Sequence, residues 1–163
     1  AFLLERKGIR ARRKTTLNEL FRTTYEFKPG DHKSEWFCTT DTGQQYMVLT
    51  INDSYYEDDR FNPAIELEFG LVKQSGDVTT RLSGTGDAFK ILSTVAEILK
   101  QAVKNSRAEY IKFAGDIHEP SRIKLYDAFI KLLPKFLPGW KIHEAETPEY
   151  GDHKEYVLKK SQK

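Results

Sequence analysis

Val78-Thr79-Thr80-Arg81-Leu82-Ser83-Gly84-Thr85-Gly86-Asp87-Ala88-Phe89 is the stretch whose reading decides the fold. A short β-type run, Val78 to Leu82, stops at two glycines. A helical pattern then runs from Asp87 to about Lys104, with apolar residues at Ala88, Ile91, Leu92, Val95, Ile98, Leu99, Ala102 and Val103. That spacing puts one broad apolar face on a helix. The first N–H groups of such a helix have no intrahelical partner and carry partial positive charge. With glycines admitting close approach, they form a cradle for phosphate. Thr85 offers a further hydroxyl donor, while Asp87 sits at the same end and repels an anion unless it turns away. The same residues also read as a tight turn at Gly84 and Gly86 with Asp87 capping the helix.

Downstream, Tyr110–Ala114 reads as a strand. Asp116–Pro120 reads as a loop ending on a proline suited to the first helical position. A second helix is expected from Ser121 to about Leu133, burying Ile123, Tyr126, Phe129, Ile130 and Leu133, and stopped by Pro134, Pro138 and Gly139. Trp140–His143 and Glu155–Leu158 read as a closing hairpin. Upstream, Thr15 or Thr16 caps a short helix carrying Leu17, Leu20 and Phe21. Thr24–Phe27 alternates before a Pro29-Gly30 turn. Trp36–Thr40 and Gln45–Ile51 flank the hairpin turn Asp41-Thr42-Gly43. Asn52–Asn62 is polar and reads as a loop, and Ala64–Val72 as a half-buried strand. Strands followed by a single β–α–β crossover predict an α+β fold, with a mixed, mostly antiparallel sheet flanked by helices.

The chain has 163 residues and a net charge of +2. No apolar run approaches the roughly 20 residues of a membrane span, so no membrane partner is expected. One cysteine, Cys38, excludes an internal disulfide and is expected to pack inside its strand. The histidines, His32, His118, His143 and His153, show no metal-ligand spacing, so no metal is expected. The start, AFLLERKG, lacks the pattern of a secretory signal.

Charge is uneven along the chain. Residues 1–14 hold Arg6, Lys7, Arg10, Arg12, Arg13 and Lys14 against Glu5, a net +5, which leaves the rest at −3. The arm is suited to track nucleic-acid phosphates. It equally suits a solvated helix packing through Phe2, Leu3, Leu4 and Ile9. Because the chain opens on Ala1 and its only methionine is Met47, the arm is expected to mark a junction with something larger, or else an initiator was removed.

Arg81-Leu82-Ser83-Gly84-Thr85-Gly86, at a strand-to-helix junction, resembles the acyl-CoA pyrophosphate loop of the GNAT N-acetyltransferase superfamily. The order of elements is similar to that fold, and the fold implied is acyl-CoA N-acyltransferase-like. Glu119-Pro120-Ser121-Arg122-Ile123-Lys124-Leu125-Tyr126 resembles the superfamily's N-x-x-A-x-x-x-Y stretch, with Glu119 for asparagine and Arg122 for alanine. Residues 64–160 resemble GNAT-like proteins and domains of tailed bacteriophages. The resemblance implies one domain over 15–163 behind the arm 1–14.

The same resemblance implies a cofactor and a site. Acetyl-CoA would be held by Arg81, Ser83, Gly84, Thr85, Gly86 and Ala88. A backbone N–H where two central strands splay apart would polarise the thioester. Tyr126 would protonate the leaving thiolate; it also reads as a core tyrosine. Glu119, Asp116, Glu66 and Glu68 are the candidate proton acceptors for the amine, and each also reads as a solvated acid or a cap. His118, in the same loop, reads as solvated. The functions implied are an N-acetyltransferase acting on an amine, or a scaffold that has lost the cofactor and serves as a virion or host-interaction protein. Nucleic-acid contact through the arm is a further alternative. The location expected is the host cytoplasm or the virion, and not outside the cell.

Overall fold

The structure is a computed structural model and describes residues 24–73, 75, 78–79 and 88–161. The basic arm, the N-terminal helix expected from Thr15 and the turn Arg81–Asp87 lie outside the described residues. The described elements, in chain order, are β1 (Phe27–Pro29), β2 (Glu35–Thr39), β3 (Gln45–Glu57), β4 (Arg60–Val72), β5 (Val78–Thr79), α1 (Ala88–Lys104), β6 (Tyr110–Asp116), α2 (Pro120–Phe136), β7 (Trp140–Glu144) and β8 (His153–Lys160). The sheet runs β1-β2-β3-β4-β6-β8-β7, with β5 paired to β4. Among these strands only β4 and β6 run parallel, joined through α1. The class is therefore α+β with a mixed, mostly antiparallel sheet, as the order of patterns predicts.

Alternation along each strand sorts side chains to two faces. Tyr46, Val48, Ile65, Leu67, Phe69, Ile111, Phe113, Tyr156 and Leu158 share one core cluster with the apolar stripes of α1 and α2. Cys38 joins this core, and burial pushes its thiol up to about 11. The opposite face carries a smaller cluster of Ala64, Tyr110 and Val157, with Tyr55 packed against it.

The structure corrects four expectations. Asn52–Asn62 is not a loop: β3 and β4 pair without interruption to Glu57↔Arg60. The turn is two residues, Asp58 and Asp59, at φ 55° and 58°. Short polar side chains tolerate that left-handed conformation, and two such residues match the twist of a hairpin. Polarity misled because this end of the hairpin reaches beyond the main core. The side chain of Asn62 ties it together, its Nδ2 donating to the carbonyls of Tyr55, Glu57 and Arg60.

At the start of the described chain, Tyr25 is buried on α1 rather than paired in a strand; its N–H donates to Thr94 Oγ1 at 2.9 Å. Accordingly β1 begins at Phe27 and includes Pro29, which an edge strand tolerates. Helix α2 runs through Pro134 to Phe136. A proline there deletes one hydrogen bond only, and the Leu137 N–H still reaches Leu133 O at 2.9 Å. Strand β6 likewise extends past Ala114 to Asp116.

The sheet curls on the face away from the helices. Tyr55 of β3 donates its hydroxyl to Glu144 of β7 at 3.0 Å, although three strands lie between them in the sheet. A register shift between Ile142 and Glu144 accompanies the placement of His143 in this cluster, where its ring lies 5.7 Å from that of Tyr110. Glu57 accepts from the Tyr110 hydroxyl at 2.6 Å and meets His143 Nε2 at 2.9 Å.

Replacing the buried Asn62 with alanine removes the donor to three part-buried carbonyls and should cost about 1–3 kcal/mol in urea unfolding. Glu57 tests the curl. The Tyr110 hydrogen bond, with His143 and Lys159, holds its carboxyl below the usual 4.5. A depressed carboxylate stabilises the fold above its ordinary pKa and loses that contribution as pH falls through the lowered value. The melting-temperature gap between the parent and Glu57→Gln should therefore be full near neutrality and close below pH 4.5.

Candidate functional site

Strand β4 has two edges. Strand β3 occupies one along its length. The other is shared: β6 pairs with Ala64, Ile65 and Glu66, and β5 with Leu71 and Val72. Among the described residues, Leu67 to Gly70 therefore have no strand on that side. Past the Glu66↔Lys112 pair, β4 and β6 diverge, and the opening is a cavity of about 640 Å³. Glu66 to Gly70 line it from β4 and Ala114 to Asp116 from β6, while Arg122 and Tyr126 enter from α2 and Glu119 from the residue just before it.

Because the strands part, side chains from both faces reach one space. Glu66 and Glu68 come from the face opposite the helices, and Tyr126 from the helix side. Tyr126 is 5% exposed and is packed by Phe69, Phe113 and Tyr156 at ring distances of 5.6, 5.5 and 5.9 Å. Gly115 makes room for it: a Cβ there would stand 3.1 Å from both Ile123 and Tyr126. Helix α2 is locked to β8 beneath. Asp127 Oδ1 accepts from Lys154 at 2.8 Å and from the Tyr156 hydroxyl at 2.7 Å. Burial works against that carboxylate, and these two bonds outweigh it and hold its pKa low.

Glu119, just before α2, and Arg122 in its first turn pair with each other. Arg122 Nε donates to Glu119 Oε2 at 2.9 Å, and Arg122 Nη1 donates to the Tyr126 oxygen at 3.2 Å. Burial pushes the Tyr126 phenol up, and Arg122 pulls against it. Across the cavity, burial raises Glu66, and neighbouring Glu68 adds to the shift. Asp53 is held low mainly by its hydrogen bond from Lys112, 3.0 Å away.

Of the residues singled out in the sequence, Tyr126, Glu119, Asp116, Glu66 and Glu68 all line this cavity. Glu119 precedes α2 but makes no side-chain capping bond. Asp116 is turned to the His118 N–H at 2.8 Å. His118 is largely exposed beside Asp152. Ala88 opens α1 and does not line the cavity, while Arg81, Ser83, Gly84, Thr85 and Gly86 lie outside the described residues. Sequence reasoning missed Gly115 and the part played by Arg122. Arg122 and Tyr126 stand four residues apart on one helix, and that spacing was the available signal. Among the described residues no group of acids, histidines or cysteine is placed to hold a metal ion. No helix of these residues is long and apolar enough to cross a membrane.

The fold and cavity define an α+β sheet protein whose only described parallel strand pair opens around a buried tyrosine. No family model matches the chain, and no curated protein matches it. Among solved structures it is similar to an acetyltransferase of the GNAT family from Streptococcus pneumoniae. The identity is 12% and the TM-score 0.36, over 78% of this chain and 67% of that one.

Gly115→Ala tests the packing that seats Tyr126. The added methyl should displace the ring or cost about 1–3 kcal/mol, read by the near-ultraviolet circular dichroism of the tyrosines and by thermal melts.

Proposed function

We propose that the chain is an acyl-CoA-dependent N-acyltransferase of GNAT type, with acetyl-CoA as donor and an amine as acceptor. The observation that carries this reading is the opening between β4 and β6 with the Tyr126 phenol inside it. Leu67 to Gly70 present backbone groups that pair with no strand among the described residues on that side, as a bound thioester and its amide-bearing arm require. Acetyl-CoA, when bound, supplies an activated acyl group and a thiol leaving group.

Acyl transfer adds a proton to the thiol and removes one from the amine, so the chain must supply one donor and one acceptor. Tyr126 Oη is the donor. Burial keeps its proton on at neutral pH. Glu66 is the acceptor better placed than Glu119, because Glu119 is already paired with Arg122 and burial raises the Glu66 pKa above the ordinary carboxylate value. Glu66, Glu68, Asp116 and Glu119 set four acidic side chains around the cavity against one arginine, Arg122, which favours a cationic amine. Arg81 and the Ser83–Gly86 turn, with Ala88 at the helix start, would hold the pyrophosphate. A phage setting, in the host cytoplasm or the virion, belongs to this proposal through the likeness of residues 64–160 to tailed-phage proteins. So does nucleic-acid contact by Arg6, Lys7, Arg10, Arg12, Arg13 and Lys14, which deletion of residues 1–14 would abolish at low salt.

A non-catalytic scaffold is the second reading. The observation favouring it is the Glu119–Arg122 pair standing where the family pattern has asparagine and alanine.

Calorimetry with acetyl-CoA separates the two. Binding and a raised melting temperature, both lost in Gly86→Glu, are expected of the transferase. Absence of binding by the parent chain sinks that reading and leaves the scaffold. If turnover of an amine is found, Tyr126→Phe should lower kcat by about 10²–10⁴-fold, and kcat/KM should rise with pH through the titration of Glu66.

A further inference from the structure

The Tyr126 oxygen is a hydrogen-bond acceptor in this structure, and that fixes where its proton can go. A phenol has one proton and lone pairs on the same oxygen. Arg122 Nη1 donates to that oxygen at 3.2 Å. A guanidinium has no acceptor, so the phenol proton cannot lie along that contact. Three sides of the ring face Phe69, Phe113 and Tyr156. The Tyr156 hydroxyl is itself engaged with Asp127. Among the described residues, the direction left open is the cavity that Tyr126 lines.

Arg122 is fixed in turn. Its side chain is 10% exposed, its Nε is bonded to Glu119, and its own backbone N–H reaches Glu119 O at 3.1 Å. Glu119, Arg122 and Tyr126 thus form a line along one face of α2, from carboxylate to guanidinium to phenol.

We propose that Arg122 is a positioning residue, anchored by Glu119, that aims the Tyr126 proton into the cavity and compensates the phenolate left when that proton is given up. This rests on the acyl-transfer reading for its purpose, but its physical content belongs to the protein without cofactor. It also gives the two departures from the family pattern one joint role: Glu119 acts on Arg122, and Arg122 on Tyr126. An opposite charge within about 4–6 Å favours the ionised form of a group by 1–3 pH units. Other charged groups act on the same phenol. Glu119 opposes ionisation from α2. Glu66 and Glu68 from β4, Asp116 from β6 and His153 from β8 line the same cavity.

The test uses the full chain with 3-fluorotyrosine incorporated, whose phenols ionise at lower pH, followed by fluorine NMR. The Tyr126 signal is assigned by its loss in Tyr126→Phe. Arg122→Met should raise the Tyr126 midpoint by about one pH unit or more. Arg122→Lys, which keeps the charge without the fork, should recover part of that shift. A midpoint unmoved in both Arg122 variants, with melting curves showing them folded, overturns the proposal. If Arg122→Met does not fold, Arg122→Lys decides it: a raised midpoint in that folded variant supports the proposal and an unmoved one overturns it. Acetyl-CoA calorimetry on the parent is read separately. No binding there removes the transferase reading, while the midpoint shift alone decides whether Arg122 governs the phenol.

Discussion

Everything at the candidate site depends on how short the parallel pairing of β4 and β6 is. Three residue pairs, Ala64↔Tyr110, Ile65↔Ile111 and Glu66↔Lys112, hold the two strands together before they part. Had the ladder continued, Leu67 to Gly70 would have spent their backbone groups on β6, and no cavity would separate Glu68 from Tyr126. Because it stops, a gap opens in the middle of the sheet, bounded by β5 where β4 regains a partner. Backbone groups inside such a gap need partners other than the described strands, since leaving them buried and unpaired costs free energy.

The rest of the molecule holds that gap in shape. On the helix side, Phe69, Phe113, Phe129, Tyr126 and Tyr156 pack ring against ring, and the Lys154–Asp127–Tyr156 bonds fasten α2 to β8. On the other side, the curl of the sheet brings the far end of β3 to β7 through Tyr55, Tyr110, Glu57 and His143. The two halves of the sheet, divided at β4 and β6, are therefore tied together at the end where those strands still pair. Among the described residues, the opposite end carries no such tie.

Periodicity made the main elements legible. The stripe of α1, the proline at the start of α2 and the alternation of Ala64–Val72 each reflect burial of one face, and burial is what a period records. Where burial stops, the signal stops. Asn52–Asn62 alternates in geometry but not in hydropathy, and its turn rests on two aspartates at positive φ. Pro134 reads as a helix stop, yet the final turn needs only one fewer hydrogen bond to keep it. The site was half legible. Tyr126, Glu119, Asp116, Glu66 and Glu68 stand out one by one, whereas Gly115 carries no signal until a helix is laid against it.

The sequence by itself determined the class of fold, the crossover that forces β4 and β6 to run parallel, and the placing of Tyr126 on the buried face of its helix. These come from local chain geometry and from the spacing of apolar residues. Only the tertiary structure decided where the parallel ladder ends, which carboxylates meet across the opening, and that Glu119 serves Arg122. Those are outcomes of sheet twist and of contacts between residues far apart in the chain. Pairing across a sheet depends on both strands at once, and no single stretch of sequence contains it.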